Sequence, residues 1–94
     1  MLVPMINLNG TYGPELLAQH RAVWKALHKV KTAMGDAFPN GRDFQTMPPG
    51  THQQAMTEAT TRLRLIEQMI LCYDGICAEL SEQIEAREAS RARR

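Results

Sequence analysis

The sequence predicts an all-α fold: an antiparallel two-helix hairpin that assembles into a homo-oligomeric helical bundle. Three observations carry this. Apolar residues recur at alternating spacings of three and four over two long stretches, the signature of helices with one buried face. A proline- and glycine-rich segment separates the two stretches. The second stretch also carries more apolar surface than one partner helix can cover. At 94 residues, the chain forms a single domain, 1–94, with a thin core.

Residues 1–13 form an N-terminal segment, and the first helix is expected over 14–36. Pro14 suits the first helical position, because its missing N–H would have no partner there. Leu17, His20, Trp24, Leu27, Lys31 and Met34 then follow helical spacing, with Leu16, Val23 and Val30 widening the stripe. Gly35 ends the helix, which would be about 35 Å long. Residues 37–50 are expected to be loop. The second helix is expected over 51–89, opened by Thr51 and Gln54 as a capping box. Its seam runs through Met56, Ala59, Leu63, Ile66, Ile70, Tyr73, Cys77, Leu80 and Ile84. Gly75 is a point where this helix, about 58 Å in full, is expected to bend or break. Residues 90–94 form a basic tail, read as a frayed, solubilising end.

Assembly is predicted from what the hairpin leaves uncovered. Leu65, Met69, Cys72 and Ile76 form a second apolar line on helix two, and Ala22, Ala26 and Ala33 form a small-residue flank on helix one. A second copy would cover these lines, and small chains often complete a core by association. The competing reading is that Leu2, Val3, Met5, Ile6 and Leu8 fold back over the extra surface.

Composition narrows the function classes. The formal net charge is +1, so nothing pulls the whole chain toward nucleic acid. Its charge is nonetheless divided. Residues 10–64 hold seven Lys/Arg and four acids, whereas residues 65–88 hold one Arg and six acids. The acidic half would repel a duplex, which places a nucleic-acid polymer behind other partners. No apolar run has the roughly 18 residues needed to span a bilayer, so no membrane association is expected. Cys72 and Cys77 lie five apart on different faces of a helix, which disfavours a disulfide and makes a reducing, cytoplasmic setting the default. Catalytic motifs are absent, His20, His28 and His52 lack metal-ligand spacing, and no enzyme activity, metal or cofactor is expected. His20 and Lys31 lie within the apolar stripe. A satisfied core histidine and a snorkelling lysine are the plainer readings, a buried anion site the sharper one.

Two segments look like binding apparatus. Asn9-Gly10-Thr11-Tyr12-Gly13-Pro14 holds an aromatic between glycines just before a helix start, where free amides and the helix dipole attract anions. Tyr12 there can stack on a base, or it can pack on the hairpin as part of an ordinary turn. Between the helices, Pro39-Asn40-Gly41-Arg42-Asp43-Phe44 leads to Pro48-Pro49-Gly50, a longer link than two antiparallel helices need. Arg42 suits a phosphate and Asp43 a hydroxyl or base edge. Equally, the pair can hold the loop to the helix ends.

The stretch from Trp24 to Ile70, about half the chain, resembles phage-encoded hairpin proteins of the anti-CBASS/anti-Thoeris family. The resemblance centres on Pro39-Asn40-Gly41-Arg42-Asp43 and on Ala55, Leu63 and Ile66. It implies a homo-oligomer, commonly a hexamer, acting in the host-cell cytoplasm. Such a protein sequesters cyclic nucleotide messengers of anti-phage signalling without cleaving them. The ligand would be a cyclic di- or trinucleotide or a cyclic ADP-ribose isomer, held between protomers. On that basis Tyr12, with Trp24 if it is free of the core, would stack on bases. Lys25, Lys29, Arg42 and Arg62 would meet phosphates, and Asn40 and Asp43 would meet polar edges of the ligand. The alternative function is that of a small phage adaptor docking on a host or phage protein through the second apolar stripe.

Overall fold

The computed structural model describes residues 1–92. Among these the chain is all-helical, with two long helices, one short 3₁₀ turn and no strand. Helix α1 spans Gly13–Asp36 and helix α2 spans Thr51–Ala92. They fold back on one another as a hairpin, and the whole extends over 72 × 20 × 20 Å. Helix α1 has 24 residues and α2 has 42, so at about 1.5 Å per residue α2 outruns its partner by roughly 27 Å.

The register follows from the predicted stripes. His20 meets Tyr73 with ring centroids 6.2 Å apart, and Lys31 pairs with Glu67 at 3.6 Å. Between the helices lie Leu17, Leu27, Ala59, Ile70 and Leu80, and Leu80 alone is wholly buried. His20 is a satisfied seam residue: its Nδ1 lies 2.9 Å from the Leu16 carbonyl, which requires that nitrogen to donate. The half-exposed Lys31 ammonium has snorkelled to Glu67, an ion pair worth little in water.

Several local expectations need correction. Helix α2 runs on to Ala92, past 89, so Ser90, Arg91 and Ala92 of the expected tail are helical; Arg93 and Arg94 lie outside the described residues. Gly75 neither breaks nor ends α2. A Cβ built on it would stand 3.0 Å from the Met1 side chain, so its missing side chain makes room for the N-terminus. The capping box does not form. Gly50, at φ 88°, already makes the turn, so Thr51 begins inside the helix. Its hydroxyl donates to the Pro48 carbonyl, and the Gln54 amide donates to the Gly50 carbonyl at 3.0 Å. Within the expected loop, Gly41–Phe44 form the 3₁₀ turn.

The N-terminal segment is ordered as a strap along α2 between Gly75 and Arg87, beside the start of α1. The Gln83 side chain holds it at two points, accepting from the Ile6 N–H at 2.9 Å and donating to the Pro4 carbonyl at 2.9 Å. Arg87 adds a bond from Nη1 to the Ile6 carbonyl at 3.0 Å. Ile6 packs against Gly13, where an added Cβ would lie 3.1 Å from its Cδ1 and 3.4 Å from Ile84. The fold-back of the N-terminus is therefore partial. Val3 and Ile6 are half-buried, while Leu2, Met5 and Leu8 point outward. Ile76, at the strap end of the second stripe, is half-buried, but Leu65, Met69 and Cys72 remain exposed.

Candidate functional site

The strap and the start of α1 close a cleft against the far end of α2. Asn7 organises the turn that leads into it: its Oδ1 accepts from the Asn9 N–H at 3.0 Å, and its carbonyl accepts from the Gly10 N–H at 3.2 Å. The chain then enters α1 through Tyr12, whose carbonyl accepts the Leu16 N–H at 2.8 Å. No side chain caps this helix, and because Pro14 has no N–H, the free amides of its first turn are those of Gly13 and Glu15. The resulting concavity holds about 230 Å³ and is open on one side. Tyr12, Gly13 and Pro14 form one wall, and Arg87, Glu88 and Arg91 form the other.

Tyr12 is 68% exposed, so its ring is not packed on the hairpin and presents a face for stacking. Arg91 stands in solvent, while Arg87 already gives one donor to the strap carbonyl and keeps others in its guanidinium fork. The positive end of the α1 dipole and two guanidinium groups therefore face the same space. Glu88 is the one carboxylate on the wall. It opposes an anion beside it but accepts from a base amino group or a sugar hydroxyl.

The other predicted site residues are dispersed. Trp24 is half-buried, donates from its indole nitrogen to Asp74, and meets His28 edge-on at 4.2 Å between ring centroids. It is committed within the hairpin, about 18 Å along the axis from Tyr12. Lys25 and Lys29 are exposed on the middle of α1, and Arg62 is exposed on α2 near the loop. Asn40, Arg42 and Asp43 sit at the other end of α1 from Tyr12, a separation of about 36 Å along that helix. Within one chain, Tyr12 and these basic residues do not form a single site. Asn40 accepts from the Arg42 N–H at 3.0 Å, which is a turn-forming contact. The loop is held by His52, whose Nε2 lies 3.3 Å from the Pro39 carbonyl and whose ring stacks near Phe44 at 5.5 Å.

Arg87 and Arg91 were the cleft residues that sequence reasoning missed. Only their distance of four, one helical turn, hints that they share a face, and nothing local says that the strap brings α1 beside them. Among the described residues, no group of three or more His, Cys, Asp or Glu is placed to hold a metal ion. None of their helices is long and apolar enough to cross a membrane. No protein-family profile, curated protein or solved structure matches the chain.

Proposed function

We propose that this protein binds a phosphate-bearing nucleotide in the Tyr12 cleft and withholds it from other receptors without chemical change. The observation that carries this reading is the convergence of an exposed aromatic ring, an uncapped helix start and two arginines on one concavity. A phosphate fits the α1 amides and Arg91, a base fits the Tyr12 ring, and Glu88 accepts from a polar edge. The groups bind and orient, and none is arranged as a nucleophile with an adjacent base.

The resemblance to the anti-CBASS/anti-Thoeris family supplies the ligand class: a cyclic di- or trinucleotide, or a cyclic ADP-ribose isomer, drawn from host anti-phage signalling in the cytoplasm. The cleft of one chain is smaller than the roughly 300 Å³ at which ligand pockets begin. It suits one base and one phosphate of such a ligand, and the remainder would be enclosed by a second copy in a homo-oligomer. Lys25, Lys29, Arg42, Asn40, Asp43 and Arg62 would then contribute only from a neighbouring protomer. The second reading, an adaptor for another protein, is favoured by the exposed line Leu65, Met69 and Cys72.

Native mass spectrometry of the purified protein with a pool of cyclic di- and trinucleotides and cyclic ADP-ribose isomers tests the proposal. A retained, intact ligand is expected. Tyr12→Ala should weaken its binding about 5- to 150-fold, the range for loss of one stacked base. Retention of no member of the pool would remove the nucleotide reading, and equal affinity in the variant would remove Tyr12 from the site.

A further inference from the structure

The geometry points to one face of the hairpin as the surface on which a second, antiparallel copy of this chain docks. The inference deepens the assembly part of the reading above and is independent of any ligand.

On α1, Val23, Ala26, Val30 and Ala33 recur at spacings of three and four. They lie about a quarter turn from the Leu17–His20–Leu27 line that meets α2. On α2, Leu65, Met69 and Cys72 stand about a quarter turn from the Ile66–Ile70–Tyr73 line that meets α1. Both stripes are displaced from their contact lines in the same rotational sense. Two antiparallel helices turned this way present such stripes on one side of the pair. The Lys31–Glu67 and His20–Tyr73 contacts set the register, which puts Val23 to Val30 level with Leu65 to Cys72. All seven side chains of the two stripes are exposed, with Leu65 at 56% and Met69 at 46%. The alanines on α1 leave room for another helix to approach closely.

The area argues for an occupant of the size of a second copy. The chain exposes 7218 Å², whereas a compact monomer of its mass exposes about 5,500 Å². A stable interface removes about 800 Å² from each partner, and this rod has about twice that in excess. Charge selects both the partner and its direction. On this side of α2, exposed Arg62 stands toward the loop end of the patch and exposed Glu79 toward the strap end. In an antiparallel pair centred near Met69, Arg62 of one copy lies level with the acidic turn at Glu79 of the other. A parallel pair would set like charges side by side. At the strap end of the patch Ile76 is half-buried, and Leu2 and Met5 of the strap are exposed.

Sedimentation equilibrium of the full chain, without nucleotide, tests the inference, with circular dichroism to confirm that each variant stays helical. The parent should sediment as a dimer or a higher even-numbered assembly. Met69→Glu and Val30→Glu each set a charge in the interface and should weaken association about tenfold or more. Both positions are exposed in the single chain, so helicity should persist. Arg62→Glu should weaken association, and adding Glu79→Arg should restore it. A parent that stays monomeric, or a helical Met69→Glu variant with parental association, overturns the interface. Failure of the charge exchange to restore association overturns the antiparallel direction. A dimer that retains no nucleotide would leave this interface standing and remove the ligand reading alone.

Discussion

The thin core makes Leu80 the position where a single truncation should tell most about the fold. Among the described residues it is the one wholly buried large side chain, and it lies near the start of α1, where hairpin and strap meet. Replacing it by alanine removes three carbon groups, about 2.4 kcal/mol of transfer free energy at about 0.8 kcal/mol each. An incompletely relaxed void on the order of 50 Å³ adds about 1.2 kcal/mol at about 24 cal/mol per Å³. Alanine returns a few tenths of a kcal/mol through helix propensity. The net loss is about 3 kcal/mol, a large share of the roughly 5–15 kcal/mol that holds a domain folded. For a chain of this size it should lower the thermal midpoint by about 12–24 °C. Leu71→Ala is the matched control: the same chemical change on the same helix, at a side chain left 69% exposed. Its effect should stay within about 0.5 kcal/mol. Thermal and urea unfolding followed by circular dichroism measure both, at one protein concentration because association adds to apparent stability. If Leu80→Ala costs no more than Leu71→Ala, the hairpin seam does not hold the fold together and the packing described above is wrong.

Two further substitutions address the strap. Gly75→Ala should stabilise α2 by about 0.5–1 kcal/mol, because glycine is poor in a helix interior and the atom it would crowd is the free end of the Met1 side chain. A lower melting temperature for that variant would mean that Met1 is firmly anchored there. Gln83→Leu removes both side-chain bonds to the strap, each worth about 0.5–1.5 kcal/mol. The Ile6 amide should then exchange with solvent far faster while α2 amides near Ile70 keep their protection, and an Ile6 amide as slow as in the parent would count against the clasp.

The fold was legible because helical periodicity is a local property. Leu17, Leu27, Ala59, Ile70 and Leu80 all belong to stripes visible in the sequence, and each is buried in the seam. What local pattern could not show was contact across long sequence separations. Gly75 reads as a helix breaker by composition, yet α2 runs straight through it and the Met1 side chain, from the far end of the chain, lies beside it. Gln83 reads as an exposed polar residue, but its amide is what fastens the strap 77 residues away in sequence. The capping box failed for a related reason. Thr51 and Gln54 have the required spacing, but Gly50 makes the preceding turn and moves Thr51 into the helix.

The candidate site was half legible for the same physical reason. Tyr12 stood out because a ring between glycines at a helix start is a local feature, and its exposure agrees with that reading. The basic residues of helix one and the loop are its expected cationic partners. In a rod 72 Å long, density of charge along the chain does not make a site; residues cooperate only where the chain returns on itself. That happens at two places, the His52-braced loop and the strap end. At the loop, Asn40 and His52 are already occupied in holding the turn. At the strap end, Arg87 and Arg91 line the concavity at the uncapped start of α1. Cations gathered on one concavity are the kind of arrangement that concentrates an anion, whereas the basic side chains spread along α1 and the loop share no such concavity with Tyr12.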